Sequence, residues 1–168
     1  KIGDVMLDRY QWGSVSRISP EAPVPIVNLE KTSLVAGGAA NVAANVAGLG
    51  SKPVLIGITG DDPDAKILPG VLKTYKIEDF VLVPLKNRQT TVKTRIIAHN
   101  HHVVRIDQET LNPISDIDTK KILKRFEGEI EKSDIVIISD YAKGFLTNRL
   151  LSGLITKSRE AGKMTLVD

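Results

Sequence analysis

Three aspartates stand where an α/β chain tends to place its chemistry: Asp8 in GDVMLDRY, Asp140 in SDYAKG and Asp168 at the end of KMTLVD. Each follows an apolar, strand-like run, and open α/β sheets bind ligands beyond the carboxyl ends of their strands. Carboxylates accept hydrogen bonds from hydroxyl groups, so a ring of them suits a sugar or another polyol. Gly37 and Gly38, in VAGGAANVAANVAGLG, precede a helical pattern. Glycine lets a ligand approach backbone N–H groups at a helix start, and Asn41 just behind can both donate and accept. Lys93 and Arg95 lie two apart, which on a strand puts them on one face, and Arg105 on a returning arm could join them. Such a trio suits a phosphate, which arginine can grip through two bonds. Lys143 stands beside Asp140, and Arg17 is a further cation in the same class.

Every one of these residues also has a plain structural role open to it. Asp8 and Asp140 could be turn acids. The glycine pair could serve tight helix–sheet packing, with Asn41 as a cap, and the three cations could form a solvated face. His99, His101 and His102 in HNHH invite a metal reading, but a tip containing Asn100 reads better as a turn, and no carboxylate stands nearby in sequence. No metal site is expected. GITGDD lacks the GK[ST] ending of a Walker loop, and no G-x-G-x-x-G follows the first strand.

The elements that must position these groups alternate between strand and helix periods, which points to a parallel sheet with crossover helices. Strands are expected at Ile2–Leu7, Pro53–Ile58, Phe80–Val83, Ile135–Ser139 and Met164–Val167. A first helix starts near Gly38 and ends at Gly48/Gly50. A second follows Asp62 as cap and Pro63 in the first turn. A third opens at Ser115 with Asp118 at capping-box spacing and buries Leu123, Phe126 and Ile130. A fourth runs from about Thr147 to Ala161, with Leu150, Leu151, Leu154 and Ile155 inward. The fold class is α/β, a doubly wound and mostly parallel sheet with flanking helices. Two stretches break the alternation: SRISPEAPVPIVNLEKTSLV, and TTVKTRIIAHNHHVVRIDQE, which reads as a hairpin. They are expected to form a small β lid, with segments at about 10–35 and 88–109.

Composition bounds the partners. The 168 residues are 26% charged and 42% hydrophobic, with net charge +3 and no cysteine, so thiolate metal sites and disulfides are excluded. The cations are dispersed, and one Trp, three Tyr and three Phe leave little for base stacking, so nucleic acid is not an expected partner. No apolar run nears the ~20 residues of a membrane span, and a cytoplasmic location is expected. The chain begins inside a strand-like run and stops at the end of another, so both ends read as cut and residues 1–168 are expected to be part of a larger domain.

Together GDVMLD, GGAANVAANVAGLG and GITGDD resemble the amino-terminal half of the ribokinase-like (PfkB) carbohydrate kinases. More narrowly, GDVMLDRY, SRISPEAPVPIV, GGAANVA and SDYAKG resemble the bacterial D-glycero-β-D-manno-heptose-7-phosphate kinases of ADP-heptose and lipopolysaccharide core synthesis. The resemblance implies transfer of phosphate from Mg-ATP to the anomeric hydroxyl, giving the 1,7-bisphosphate. It implies that Asp8, Gly37, Gly38, Asn41 and Asp140 hold the sugar, with Lys143 among the substrate-binding residues, and that Lys93, Arg95 and Arg105 neutralise its 7-phosphate. Asp168 would lie near the transferring phosphate and magnesium. Potassium is a further ion that the resemblance admits, and the lid strands would form a homodimer contact. The family's N-x-x-E and G-A-G-D elements, the latter with the catalytic base, do not occur here. No catalytic residue is therefore expected within this stretch, and alone it is expected to be inactive. The alternatives are another PfkB-type sugar kinase, or a non-catalytic sugar-phosphate-binding dimerisation module.

Overall fold

The first strand ends after two residues. In the computed structural model, which describes all of residues 1–168, Ile2–Gly3 (β1) pairs in parallel with strands on both sides, and the chain then leaves that sheet at Asp4. Val5–Ile18 (β2) belongs to a second sheet, so the single strand expected over Ile2–Leu7 is two. The residues on either side of Asp4 are apolar because both halves are buried, against different partners. Gly3 lies so close to the neighbouring strand that a Cβ there would stand 2.2 Å from the Ser139 carbonyl oxygen. Val5 and Leu7 turn instead toward the first helix. Hydrophobic pattern alone does not register such a change of sheet.

From β2 the chain returns as Pro25–Gly38 (β3) and enters Ala39–Gly48 (α1). Val54–Thr59 (β4), Pro63–Thr74 (α2) and Asp79–Pro84 (β5) follow, then a hairpin of Val92–Ala98 (β6) and His101–Gln108 (β7). The last elements are Asp116–Ile130 (α3), Ile135–Ser139 (β8), Asn148–Glu160 (α4) and Met164–Val167 (β9). The main sheet has the order β5-β4-β1-β8-β9, parallel throughout. The second has the order β3-β2-β6-β7, antiparallel except where β2 and β6 run side by side. Its strands begin at Val5, earlier in the chain than the expected lid.

Local chemistry sets the helix starts. Asp62 accepts the Ala65 N–H at 2.9 Å, Ser115 that of Asp118 at 3.1 Å, and Thr147 that of Leu150 at 3.2 Å. Helices α1 and α2 cover one face of the main sheet, where Leu55, Leu68, Leu72 and Ala43 share a core with Leu7, Ala36 and Val92 of the second sheet. Helices α3 and α4 cover the other, around Ile2, Ile138, Phe145, Leu150 and Leu154. In α3 the buried stripe is Ile122, Phe126 and Ile130, with Leu123 packed at its margin rather than at its centre. The hairpin turn at His99 and Asn100 has φ of 50° and 64°, the pair of left-handed residues that a two-residue hairpin requires.

With β4 and β5 on one side of β1 and β8 and β9 on the other, the sheet's direction of winding reverses at β1. That is where open α/β sheets form their ligand crevice.

Candidate functional site

Asp4 is the first residue past this switch point. It is only 3% exposed. Its N–H donates to the Ser139 carbonyl at 3.2 Å, and its own carbonyl accepts the Ala39 N–H at 2.8 Å, fixing the start of α1. Its carboxylate Oδ2 accepts the Tyr141 N–H at 2.8 Å and the Lys143 N–H at 3.3 Å. Burial pushes this carboxyl above the ordinary aspartate range. The two amides and the Arg88 charge act against that shift, and Asp140 acts with it.

The glycine pair meets this residue on one side and Asp8 on the other. Gly38 has φ 55° and is itself the N-cap of α1, without a side-chain hydrogen bond, so Asn41 is not the cap; it lies exposed in the first turn. A Cβ on Gly38 would fall 2.3 Å from the Asp4 carbonyl oxygen, and one on Gly37 would fall 2.7 Å from Asp8 Oδ2. Asp8 sits not at the end of a main-sheet strand but within β2, because the chain had already changed sheets.

The register of the second sheet gathers the rest. Asp8 pairs with Lys93 and Tyr10 with Arg95 across β2 and β6, while Lys93 pairs with Asp107 and Arg95 with Arg105 across β6 and β7. Residues opposite each other share a face, so Asp8, Tyr10, Lys93, Arg95, Arg105 and Asp107 lie together, as the two-residue spacing of Lys93 and Arg95 predicts. Each cation has a partner. Arg95 is ion-paired with Asp8 and stands over the Tyr10 ring at 5.2 Å from its centroid. Lys93 Nζ is 2.9 Å from Asp107 and 3.7 Å from Glu109, and Arg105 grips Asp107 through Nε and a terminal nitrogen at 2.8 and 3.1 Å. The Lys93 and Arg105 bonds hold Asp107 below the ordinary carboxylate range against the opposing effect of burial. Glu109 also takes Lys143 at 2.8 Å. One carboxylate thus bridges the second sheet to the loop after β8, and the charged face looks toward that loop.

Arg88 completes the junction. Its guanidinium donates to the backbone carbonyls of Thr110 at 2.7 Å and Lys143 at 2.9 Å, and to that of Asn112. Asp4, Arg88, Asp107 and Glu109 were not singled out from the sequence. Only Asp4 carried a signal, its place inside GDVMLD; the others act through contacts far apart in the chain.

Asp140 is exposed, and its Oδ1 accepts the Ala142 N–H at 2.8 Å, the geometry of a turn acid. Its backbone N–H bonds to the Asp168 carbonyl at 2.9 Å, while Asp168 Oδ2 accepts from Ser139 Oγ at 3.2 Å. Asp140 and Asp168 therefore stand side by side at the carboxyl ends of β8 and β9. Arg17 is exposed near the far end of β2, remote in register from Asp8. His99 bonds to the Val15 backbone through Nε2 and closes the end of the second sheet. No three His, Asp or Glu side chains converge as metal ligands would.

A sheet that turns at β1, with a glycine-started helix and a charged second sheet over the turn, is an arrangement with known relatives. The model of the pfkB family carbohydrate kinases matches residues 1–168, the whole chain. The chain belongs to the pfkB carbohydrate kinase family. It is 44% identical over 167 residues to the bifunctional protein HldE of Caulobacter vibrioides, covering 99% of this chain and 34% of that protein. To the bifunctional protein HldE of Helicobacter pylori it is 43% identical over 167 residues, again 99% of this chain and 36% of the relative. The chain thus spans about a third of the length of the curated relatives it matches. Among solved structures it resembles a possible 1-phosphofructokinase from Thermotoga maritima, at 24% identity and TM-score 0.75, over 99% of this chain and 52% of that one. It also resembles phosphofructokinase-2 from Escherichia coli in complex with fructose-6-phosphate, at 18% identity and TM-score 0.66, over 99% and 54%. These structures carry the same fold, a ribokinase-like parallel α/β sheet with flanking helices.

Proposed function

We propose that this pfkB chain is the sugar-binding half of an ATP-dependent kinase that phosphorylates the anomeric hydroxyl of D-glycero-β-D-manno-heptose 7-phosphate. The observation that carries the reading is the Asp8–Arg95 pair. It sits beside Gly37, on a face with Lys93 and Arg105 that meets Lys143 through Glu109. Asp8 accepts sugar hydroxyls, Gly37, Gly38 and Asn41 let the sugar reach the start of α1, and Asp140 closes the other side. Lys93, Arg95, Arg105 and Lys143 attract the 7-phosphate. Because each already faces a carboxylate, the phosphate must take contacts from Asp8, Asp107 and Glu109, so binding exchanges ion pairs rather than filling a bare cationic site.

In the reaction the anomeric oxygen bonds to the terminal phosphorus of ATP, the bond from that phosphorus to ADP breaks, and the hydroxyl proton leaves to a base. Positioning and electrostatic stabilisation supply such catalysis. What residues 1–168 contribute is positioning: they bind and orient the sugar, with Asp168 toward the transferring phosphate. ATP, with magnesium as its counter-ion, is the proposed phosphate donor, and an ATP-consuming step implies the cytoplasm. Val104 and Ile106, exposed on the open edge strand β7, support a homodimer formed through the second sheet.

The test is ATP consumption by the full-length protein with heptose 7-phosphate, ribose or fructose 6-phosphate. Preference for the heptose is expected, and Asp8→Ala should raise its KM by about tenfold or more, the scale of one lost charge-assisted hydrogen bond. Preference for fructose 6-phosphate would replace the substrate assignment, and unchanged sugar binding in Asp8→Ala would remove the Asp8 role.

A further inference from the structure

We propose that Asp4 is a positioning residue, holding the Asp140–Gly144 loop in the form that the sugar requires while never touching the sugar itself. The inference rests on the sugar-kinase reading above for its purpose and on separate geometry for its substance.

Within the loop one bond supports its shape, the Ala142 N–H donating to Asp140 Oδ1 at 2.8 Å. Ala142 has φ 56° and Gly144 φ 77°, two left-handed residues in three, and for alanine that conformation is unfavourable. Asp140, Tyr141 and Ala142 are exposed, so packing does not hold the loop down. What holds it is a pair of anchors from beneath. Asp4 Oδ2 takes the amides of Tyr141 and Lys143 at 2.8 and 3.3 Å, and Arg88 takes the Lys143 carbonyl at 2.9 Å. The same Asp4 fixes the start of α1 through its carbonyl, 2.8 Å from the Ala39 N–H. A single buried residue at the switch point thus sets the distance between the glycine-started helix and the loop that carries Asp140 and Lys143.

The carboxylate is a poor choice for stability alone. It is buried without a cation in direct contact, and burial acts against its charge. A well-packed apolar side chain of similar size commonly serves a core as well or better. What an apolar side chain cannot do is accept two loop amides, and that capacity is the property the site uses.

The full-length protein provides the test, by hydrogen exchange at the Tyr141 and Lys143 amides together with KM for sugar phosphate and for ATP. In the wild type both amides should exchange slowly despite lying in an exposed loop. Asp4→Ala should speed their exchange by ~10- to 100-fold, the range for lost hydrogen bonds to a charged acceptor, and raise the sugar KM by a similar factor with the ATP KM unchanged. Asp4→Asn, whose amide oxygen can accept the same two bonds, should restore most of both. Equal rises in the two KM values, an unchanged sugar KM, or an asparagine variant as impaired as alanine would each overturn the role. Should Asp4→Ala fail to fold, the wild-type exchange still decides, because fast exchange at both amides sinks the inference. A wild type that ignores heptose 7-phosphate while protecting both amides counts instead against the substrate reading alone.

Discussion

At Gly37 a single hydrogen atom separates the main chain from the Asp8 carboxylate. A methyl group there would lie 2.7 Å from Oδ2 and 3.1 Å from Cγ, and Asp8 cannot swing away freely because Arg95 holds it. Gly37→Ala is therefore expected to displace the carboxylate and raise the sugar KM by about tenfold, the scale of one lost charge-assisted hydrogen bond, at a smaller cost in stability than Gly38→Ala, since the nearest atom ends a side chain. The same change one residue on has a different outcome. Gly38 has φ 55°, and its added methyl would meet the Asp4 carbonyl at 2.3 Å, backbone that cannot yield. Gly38→Ala should cost more than the ~1–2 kcal/mol of a left-handed alanine, read as a lowered urea midpoint. Steady-state kinetics on the first variant and denaturation of the second separate a glycine kept for a neighbour's position from one kept for its own conformation. Equal thermodynamic losses in both would refute that division.

Among the elements, α2 has the most specified start. Asp62 caps it through Ala65 and also accepts the Thr90 amide at 2.7 Å and the Thr90 hydroxyl at 2.8 Å, tying the helix to the approach to β6. Burial tends to raise the Asp62 pKa, but the Thr90 and Ala65 hydrogen bonds outweigh it, and the group titrates below the ordinary aspartate value. A pKa lower in the folded state than in the unfolded one gives stability that is full above the unfolded value of roughly 4 and is lost as pH falls through the folded value. Asp62→Ala should cost about 1 kcal/mol or more at neutral pH and flatten the acid limb of the stability–pH curve, measured by urea unfolding from pH 7 to pH 3. A variant curve parallel to the wild type would contradict it. This cap was legible in the sequence because a cap is local: Asp, Pro and Asp in a row state it. The cap at Ser115 and the His99–Asn100 turn were legible for the same reason. The second sheet was half legible. The period of two placed Lys93 and Arg95 on one face, but nothing in the sequence tells that Asp107 and Glu109 neutralise them, since that depends on a register between strands and a loop distant in the chain. The change of sheet at Asp4 was not legible from hydrophobicity, because Val5 and Leu7 are as apolar in one sheet as they would be in the other.

Across the whole molecule the two sheets end in four edge strands, of which β9 and β7 have different consequences. Strand β9 closes one side of the main sheet with Met164, Leu166 and Val167 at 64%, 48% and 62% exposure, apolar on both faces. Open apolar edges invite pairing with another chain. Strand β7 closes the second sheet with Val104 and Ile106 exposed, but it alternates them with His102, Arg105 and Asp107, a pattern suited to a specific contact rather than to indiscriminate association. The two edges can be told apart by charge. Residues 1–168 alone should self-associate in sedimentation velocity, with mass rising as concentration rises, and Leu166→Lys should suppress this by placing a charge on the β9 edge. In the full-length protein, Ile106→Lys should shift a dimer formed through the second sheet toward monomer. A full-length dimer that survives Ile106→Lys would move the contact away from β7, and a strictly monomeric 1–168 would show that the exposed β9 edge is not adhesive.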